Sequence, residues 1–172
     1  MIKPITIALL AASLVAACGG SSSNQPQTPA QKIAALEASG AIPVLERSDT
    51  LEGIDSNNSG VRDDVEAYIY NNYPSENQRN AAMQLARGLQ ESLLVDLEDN
   101  SALRLVDRNV NRAVSCIYKR FGEAKGAVKP GKVVYDLEAI TTNTKQRLEA
   151  YLAYNRSLDG TTSARPKGGS CE

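Results

Sequence analysis

Residues 55–66 read Asp-Ser-Asn-Asn-Ser-Gly-Val-Arg-Asp-Asp-Val-Glu, the one segment whose residue types and spacing suggest chemistry. Its side chains offer carboxylate, amide and hydroxyl oxygens. A hard cation such as calcium takes six to eight oxygen ligands, and a short loop gathers them only by turning tightly, which Gly60 permits. Two other readings use the same residues. Asn58-Ser59-Gly60 is also good turn sequence, and Asp63 and Asp64 suit the first turn of a helix without any metal. Asp63 and Glu66 could act as acid–base carboxylates of a metal-dependent hydrolase, although nothing separates that pattern from a ligand set or a helix start. Histidine is absent from the 172 residues. That removes the commonest zinc ligand and excludes any Ser-His or Cys-His nucleophile pair.

The loop resembles an EF-hand calcium loop. In that family side-chain oxygens come from positions one, three, five, nine and twelve, a backbone carbonyl from position seven, and Gly occupies position six. The resemblance assigns these places to Asp55, Asn57, Ser59, Asp63, Glu66, Val61 and Gly60. It implies one calcium ion closed in by Glu66 from the first turn of the exiting helix. The departures are also specific. Position eight, usually aliphatic, is Arg62; no second loop exists to pair with; and residues 50–54 make a poor incoming helix. The segment is therefore more similar to the loop-then-helix sites of dockerins than to a paired sensor. With three acidic ligands its affinity is expected to be weak, about 10⁻⁴ to 10⁻³ M.

At the amino terminus, Lys3 precedes the uncharged apolar run 5–17 (ITIALLAASLVAA). As a helix this run would be about 20 Å long, short of a hydrocarbon core of roughly 30 Å. A charged start, a short apolar stretch and small residues at its end make a secretory signal. Val15-Ala16-Ala17-Cys18 resembles the lipobox of bacterial lipoproteins. That resemblance implies cleavage after residue 17, lipid on Cys18 and attachment to a membrane; Gly19 is similar to outer-membrane cargo if the host is Gram-negative. Residues 19–27 (GGSSSNQPQ) carry no apolar side chain and suit a flexible tether.

The formal charge is −1, and −2 once Lys3 leaves with the signal. So small a charge, with both signs interspersed, points away from nucleic acid as a partner. With Cys18 assigned to lipid, Cys116 and Cys171 remain. In an exported chain an even pair suggests a disulfide, the alternative being two free thiols. A bridge would tie back the tail 159–172, which could not pack by itself.

Helix signals recur along the rest of the chain, and strand alternation does not. Thr28-Pro29-Ala30-Gln31 reads as a capping box before a short helix through Ile33 and Leu36. A helix from Arg62 to about Asn72 should bury Val65, Tyr68 and Ile69. Ser75-Glu76-Asn77-Gln78 reads as a second capping box, before a stripe of Ala82, Leu85, Leu89, Leu93 and Leu97. The next helix should bury Leu103, Val106, Val110, Ala113, Ile117 and Phe121, with Cys116 at the bundle edge. The last, after Pro130, should carry Val134, Leu137, Ile140, Thr144, Leu148, Tyr151 and Leu152. The polar run 141–144 marks a possible kink or break within it.

These readings predict an all-α fold, a small helical bundle of about four to five helices with the EF-hand-like loop before the second. The organisation expected is a signal peptide (1–17), a lipidated Cys and tether (18–27), a helical domain (28–158) and an irregular tail (159–172). The chain as a whole resembles the small lipoproteins of Gram-negative bacteria. The function expected is a non-enzymatic binding or structural module of the cell envelope with one calcium ion. Its partners would be the membrane, through Cys18, and a protein or other envelope component.

Overall fold

A computed structural model describes residues 26–122, 128–162 and 169–172; the expected signal segment and Cys18 lie outside them. Among the described residues the chain is all-helical, a small bundle of six helices: α1 (Pro29–Ala38), α2 (Asp63–Asn72), α3 (Glu76–Leu94), α4 (Asn100–Gly122), α5 (Pro130–Thr141) and α6 (Lys145–Ser157). None is long and apolar enough to cross a membrane.

The α3–α4 pair makes the most extensive contact and forms the spine of the bundle. Gly88 allows the close approach, since a Cβ there would stand 3.2 Å from Val110 Cγ2. Leu103 and Val106 of α4 form a smaller cluster with Tyr154 of α6, whereas Ala82, Leu85 and Leu89 of α3 are buried in the larger core cluster with Ala113, Ile117 and Phe121 of α4. The short α2 adds Val65 and Ile69, and α5 adds Val133 and Leu137. Tyr73, just past α2, meets Phe121 edge-on at 5.1 Å between ring centres, an arrangement that the ring quadrupoles favour.

Thr28 caps α1 through the expected box, its side chain accepting from Gln31 while the Gln31 side chain accepts from Thr28. Yet α1 buries no residue, and Ile33 and Leu36 are exposed.

Several expectations need correction. Ser75 precedes α3 but makes no side-chain cap, so the second capping box does not form. Leu97 lies beyond the end of α3 and is exposed. Cys116 sits in the core, with 1% of its surface exposed, not at the edge. The single last helix is two, because the chain leaves helical geometry after Thr141 and restarts with Thr144 as N-cap. The break resets the helical phase. Beyond it Leu148 and Leu152 turn outward and α6 instead buries Arg147 and Tyr154; upstream of it, in α5, Val133 and not Val134 is the fully buried valine.

Cys116 and Cys171 are joined by a disulfide (S–S 2.08 Å). Beside it the Gln84 side chain pairs with the tail, donating to the Ser170 carbonyl (3.0 Å) and accepting from the Glu172 N–H (3.3 Å). Arg87 holds the Glu172 carboxylate at 2.6 Å.

Candidate metal centre

The loop 55–62 enters α2 as a tight coil wound around its own polar groups. Asp55 organises it: Oδ1 accepts from the Ser59 N–H (3.0 Å) and Oδ2 from the Gly60 N–H (2.9 Å). Asn57 Oδ1 also accepts from the Ser59 N–H (3.0 Å). Ser59 Oγ lies 3.3 Å from the Val61 carbonyl, to which it donates. The Asp63 N–H donates to the Ile54 carbonyl (2.8 Å), joining the loop's two ends. Asn58 (φ 55°) and Gly60 (φ 79°) take the left-handed conformation the coil needs, which Asn and Gly tolerate best.

Glu66, on the first turn of α2, reaches back across the loop, where its Oε2 accepts from Asn57 Nδ2 at 2.9 Å. Asp55, Asn57, Ser59, the Val61 carbonyl and Glu66 are thus brought together, and they are the groups that could hold a cation. Asp63 is turned aside. Its carboxylate accepts from the Ser56 hydroxyl (2.6 Å) and the Ser56 N–H (2.9 Å), bonds that hold its pKa below the ordinary carboxylate range. In EF-hand loops position nine often reaches the ion through a water molecule, so this placement still fits the pattern. Among the described residues no cluster of three His, Cys, Asp or Glu side chains stands ready for a metal; the loop's oxygens are instead of mixed type.

Arg62, the departure at position eight, has a structural reason. Its side chain is fully buried. Nε and NH2 donate in parallel to the two oxygens of Asp64, each at 2.8 Å. NH2 also donates to the Ile140 carbonyl (3.0 Å) and NH1 to the Thr141 carbonyl (3.1 Å). These are C-terminal carbonyls of α5, which lack helical partners and welcome a cation.

A second buried arginine, Arg147 at the start of α6, lies alongside. It donates to the Glu46 carbonyl (3.0 Å) and Asn143 Oδ1 (2.9 Å) and pairs with the Glu46 carboxylate. Its Nε is buried with no hydrogen-bond partner among the described residues. Burial would raise the Glu46 carboxyl, but bonds from Ser48 and Arg147 outweigh it and hold the pKa down at about 2.

The residues of this second network are functional candidates, with Glu46 remote in sequence from Asn143 and Arg147. One signal in the sequence is Arg62 at an aliphatic position. A shifted stripe of Thr144, Arg147, Tyr151, Tyr154 and Leu158 on α6 would have supplied another.

Behind the loop a cavity of about 250 Å³ separates it from α3, with Glu52, Asp55, Val61, Arg87 and Leu94 among its walls. A wider groove of about 890 Å³ runs between residues 40–44, α2 and α5. Within it the Tyr68 hydroxyl donates to Asp136 (3.2 Å), which also accepts from Lys132 (2.7 Å). Tyr70 projects outward, with the Arg79 guanidinium 5.5 Å over its ring.

The sequence matches no protein-family model, no curated protein and no solved structure.

Proposed function

We propose that this chain is a lipid-anchored protein of the cell envelope, a non-enzymatic binding or structural module whose loop 55–66 binds one calcium ion. The observation that supports the calcium reading is the double grip of Asp55 on the Ser59 and Gly60 N–H groups, with Glu66 reaching back across the loop to Asn57. An ion held there supplies two positive charges to a segment that carries Asp55, Asp63, Asp64 and Glu66 against a single Arg62. Asp55, Asn57, Ser59 and the Val61 carbonyl would hold it from the loop, Glu66 from α2, and Asp63 through water. The lipid reading rests on Val15-Ala16-Ala17-Cys18 and the apolar-free tether that follows. It makes the membrane one partner of Cys18 and leaves the helical domain to meet a second envelope component.

The test is a calcium titration by calorimetry, with thermal melts in calcium and in chelator, on residues 19–172. Saturable binding with a dissociation constant of about 10⁻⁴ to 10⁻³ M and a raised melting temperature is expected. Asp55→Ala with Glu66→Ala should abolish both. An equal rise in the double variant would sink the site. Metabolic labelling with palmitate, lost in Cys18→Ser, tests the anchor.

A further inference from the structure

We infer that calcium in the loop locks the arm formed by residues 41–54, the segment between α1 and the loop, through the Arg62–Asp64 clamp. This rests on the calcium reading above. Arg62 stands in the chain between two groups of that site, the Val61 carbonyl and Asp63, so whatever fixes those backbone units also fixes the Arg62 Cα. From there the clamp runs outward in two steps. Arg62 orients Asp64 with two parallel bonds. Asp64 Oδ2 then accepts the Glu46 N–H at 2.8 Å, which ties down the arm.

The arm has further polar anchors: the Gln90 amide donates to the Leu51 and Glu52 carbonyls (3.1 and 3.2 Å), and the Leu45 N–H donates to Glu37 (3.2 Å), which also pairs with Arg47. The Glu46 carbonyl accepts from Asn143 Nδ2 (2.7 Å) and Arg147 (3.0 Å), and Gly53 lies directly on the two arginines. A Cβ at Gly53 would fall 2.2 Å from Arg62 Cδ and 2.9 Å from Arg147 NH2. Val44 and Ile54 of the arm are exposed. Leu45 packs on the core, but the arm is otherwise held largely by polar bonds, those of Glu46 gathered on Asp64, Asn143 and Arg147, and segments held in this way open locally before the core does. One end of the arm leads through α1 to the tether; the other is the calcium loop. Calcium would thus set how firmly the domain is held to the segment that carries its anchor. Linkage makes the effect reciprocal: weakening the clamp far from the ion must lower calcium affinity by the same factor by which calcium strengthens the clamp.

The test is limited trypsinolysis of the full chain carrying Cys18→Ser, with each cut identified by mass spectrometry. Cleavage after Arg47 on the arm is compared with cleavage after Arg104 on α4, which reports global unfolding. Calcium is expected to slow the Arg47 cut relative to the Arg104 cut by roughly fivefold or more, the low end of ordinary coupling. Asp55→Ala should remove the difference. Asn143→Ala takes one bond from Glu46 and one from Arg147 without touching a loop oxygen; it should weaken calcium binding in calorimetry by the factor that it removes from the protection. Two results overturn the coupling while leaving the calcium site standing: calcium that binds but leaves the ratio of the two cuts unchanged, or an Asn143→Ala chain that folds with full affinity and full protection. Absence of calcium binding in calorimetry would overturn both together.

Discussion

Arg62 donates two parallel hydrogen bonds to Asp64, 2.8 Å each, with its side chain wholly removed from solvent. Two residues apart at the mouth of α2, they form a buried ion pair whose remaining donors are spent on the last carbonyls of α5. Burying a guanidinium is expensive unless its hydrogen-bonding capacity is met, and here a carboxylate and two backbone carbonyls meet it. The pair joins the loop 55–62 to a helix nearly eighty residues away in sequence.

Arg62→Met should therefore destabilise the domain by about 3 kcal/mol, the low end for breaking a buried pair. The low end applies because Asp64 would keep the N–H groups of Glu46 and Val65. Arg62→Met combined with Asp64→Leu should cost less than the two single changes added together, since the second removes the charge that the first leaves buried. Urea unfolding of the three variants measures this; strict additivity would show that the pair is not coupled.

Gly53 and Gly60 both adopt positive φ, 68° and 79°, yet they should respond differently to Ala. At Gly60 the new Cβ would meet Arg87 Cδ at 3.4 Å, ordinary contact, so the cost is the left-handed backbone alone, about 1–2 kcal/mol. At Gly53 the same backbone cost is joined by a clash with the buried Arg62 stem, which cannot move without giving up Asp64 and the α5 carbonyls. Gly53→Ala should lower the melting temperature clearly more than Gly60→Ala. Equal shifts would mean that the arm moves aside freely.

Much of this architecture is legible in the residues, and the failures have local causes. Pro29 after Thr28 marks the first helix, and the leucines of α3 lie three and four apart because one face meets α4. The turn of the loop 55–62 is readable because the groups that shape it, Asp55, Asn57, Ser59 and Gly60, are near neighbours in sequence. The role of Arg62 is not, because its partners Ile140 and Thr141 are remote and only folding brings them close. The α6 face was misread for a simpler reason. Three non-helical residues after Thr141 shift the phase, and an arginine at the inward position looks like surface until its partner Glu46, about a hundred residues earlier, is in place.

Stability should fall in acid partly through Glu46. Its pKa lies at about 2 in the fold against an ordinary 4.5, so the folded state favours the ionised form. The stabilisation is fully present above about pH 4.5 and is lost as pH falls toward 2. Glu46→Gln keeps the backbone bonds of the arm and removes only the charge. Its stability deficit relative to the parent should be largest near pH 6 and should shrink by pH 3, read from thermal melts at the two values. A deficit that stays constant with pH would assign the effect to packing and not to the carboxylate.

The Cys116–Cys171 bridge closes a span of 55 residues that includes α5 and α6. Cross-linking a span of that length restricts the unfolded chain by about 4 kcal/mol in the chain-entropy model. Among the described residues the tail is also held by the paired amide of Gln84, by Arg112 donating to the Gly169 carbonyl (3.5 Å), by Cys171 packing on the core and by the exposed Arg87–Glu172 ion pair, the last worth at most about 1 kcal/mol. Reduction should therefore act in two separable ways. The denaturant midpoint should fall, because the unfolded state gains freedom. The tail should also become more open to carboxypeptidase under native conditions, because the polar contacts that remain are exposed or only part-buried. Arg87→Ala in the oxidised protein should leave the midpoint nearly unchanged, which distinguishes the bridge from the ion pair as the element that keeps the tail on α3 and α4.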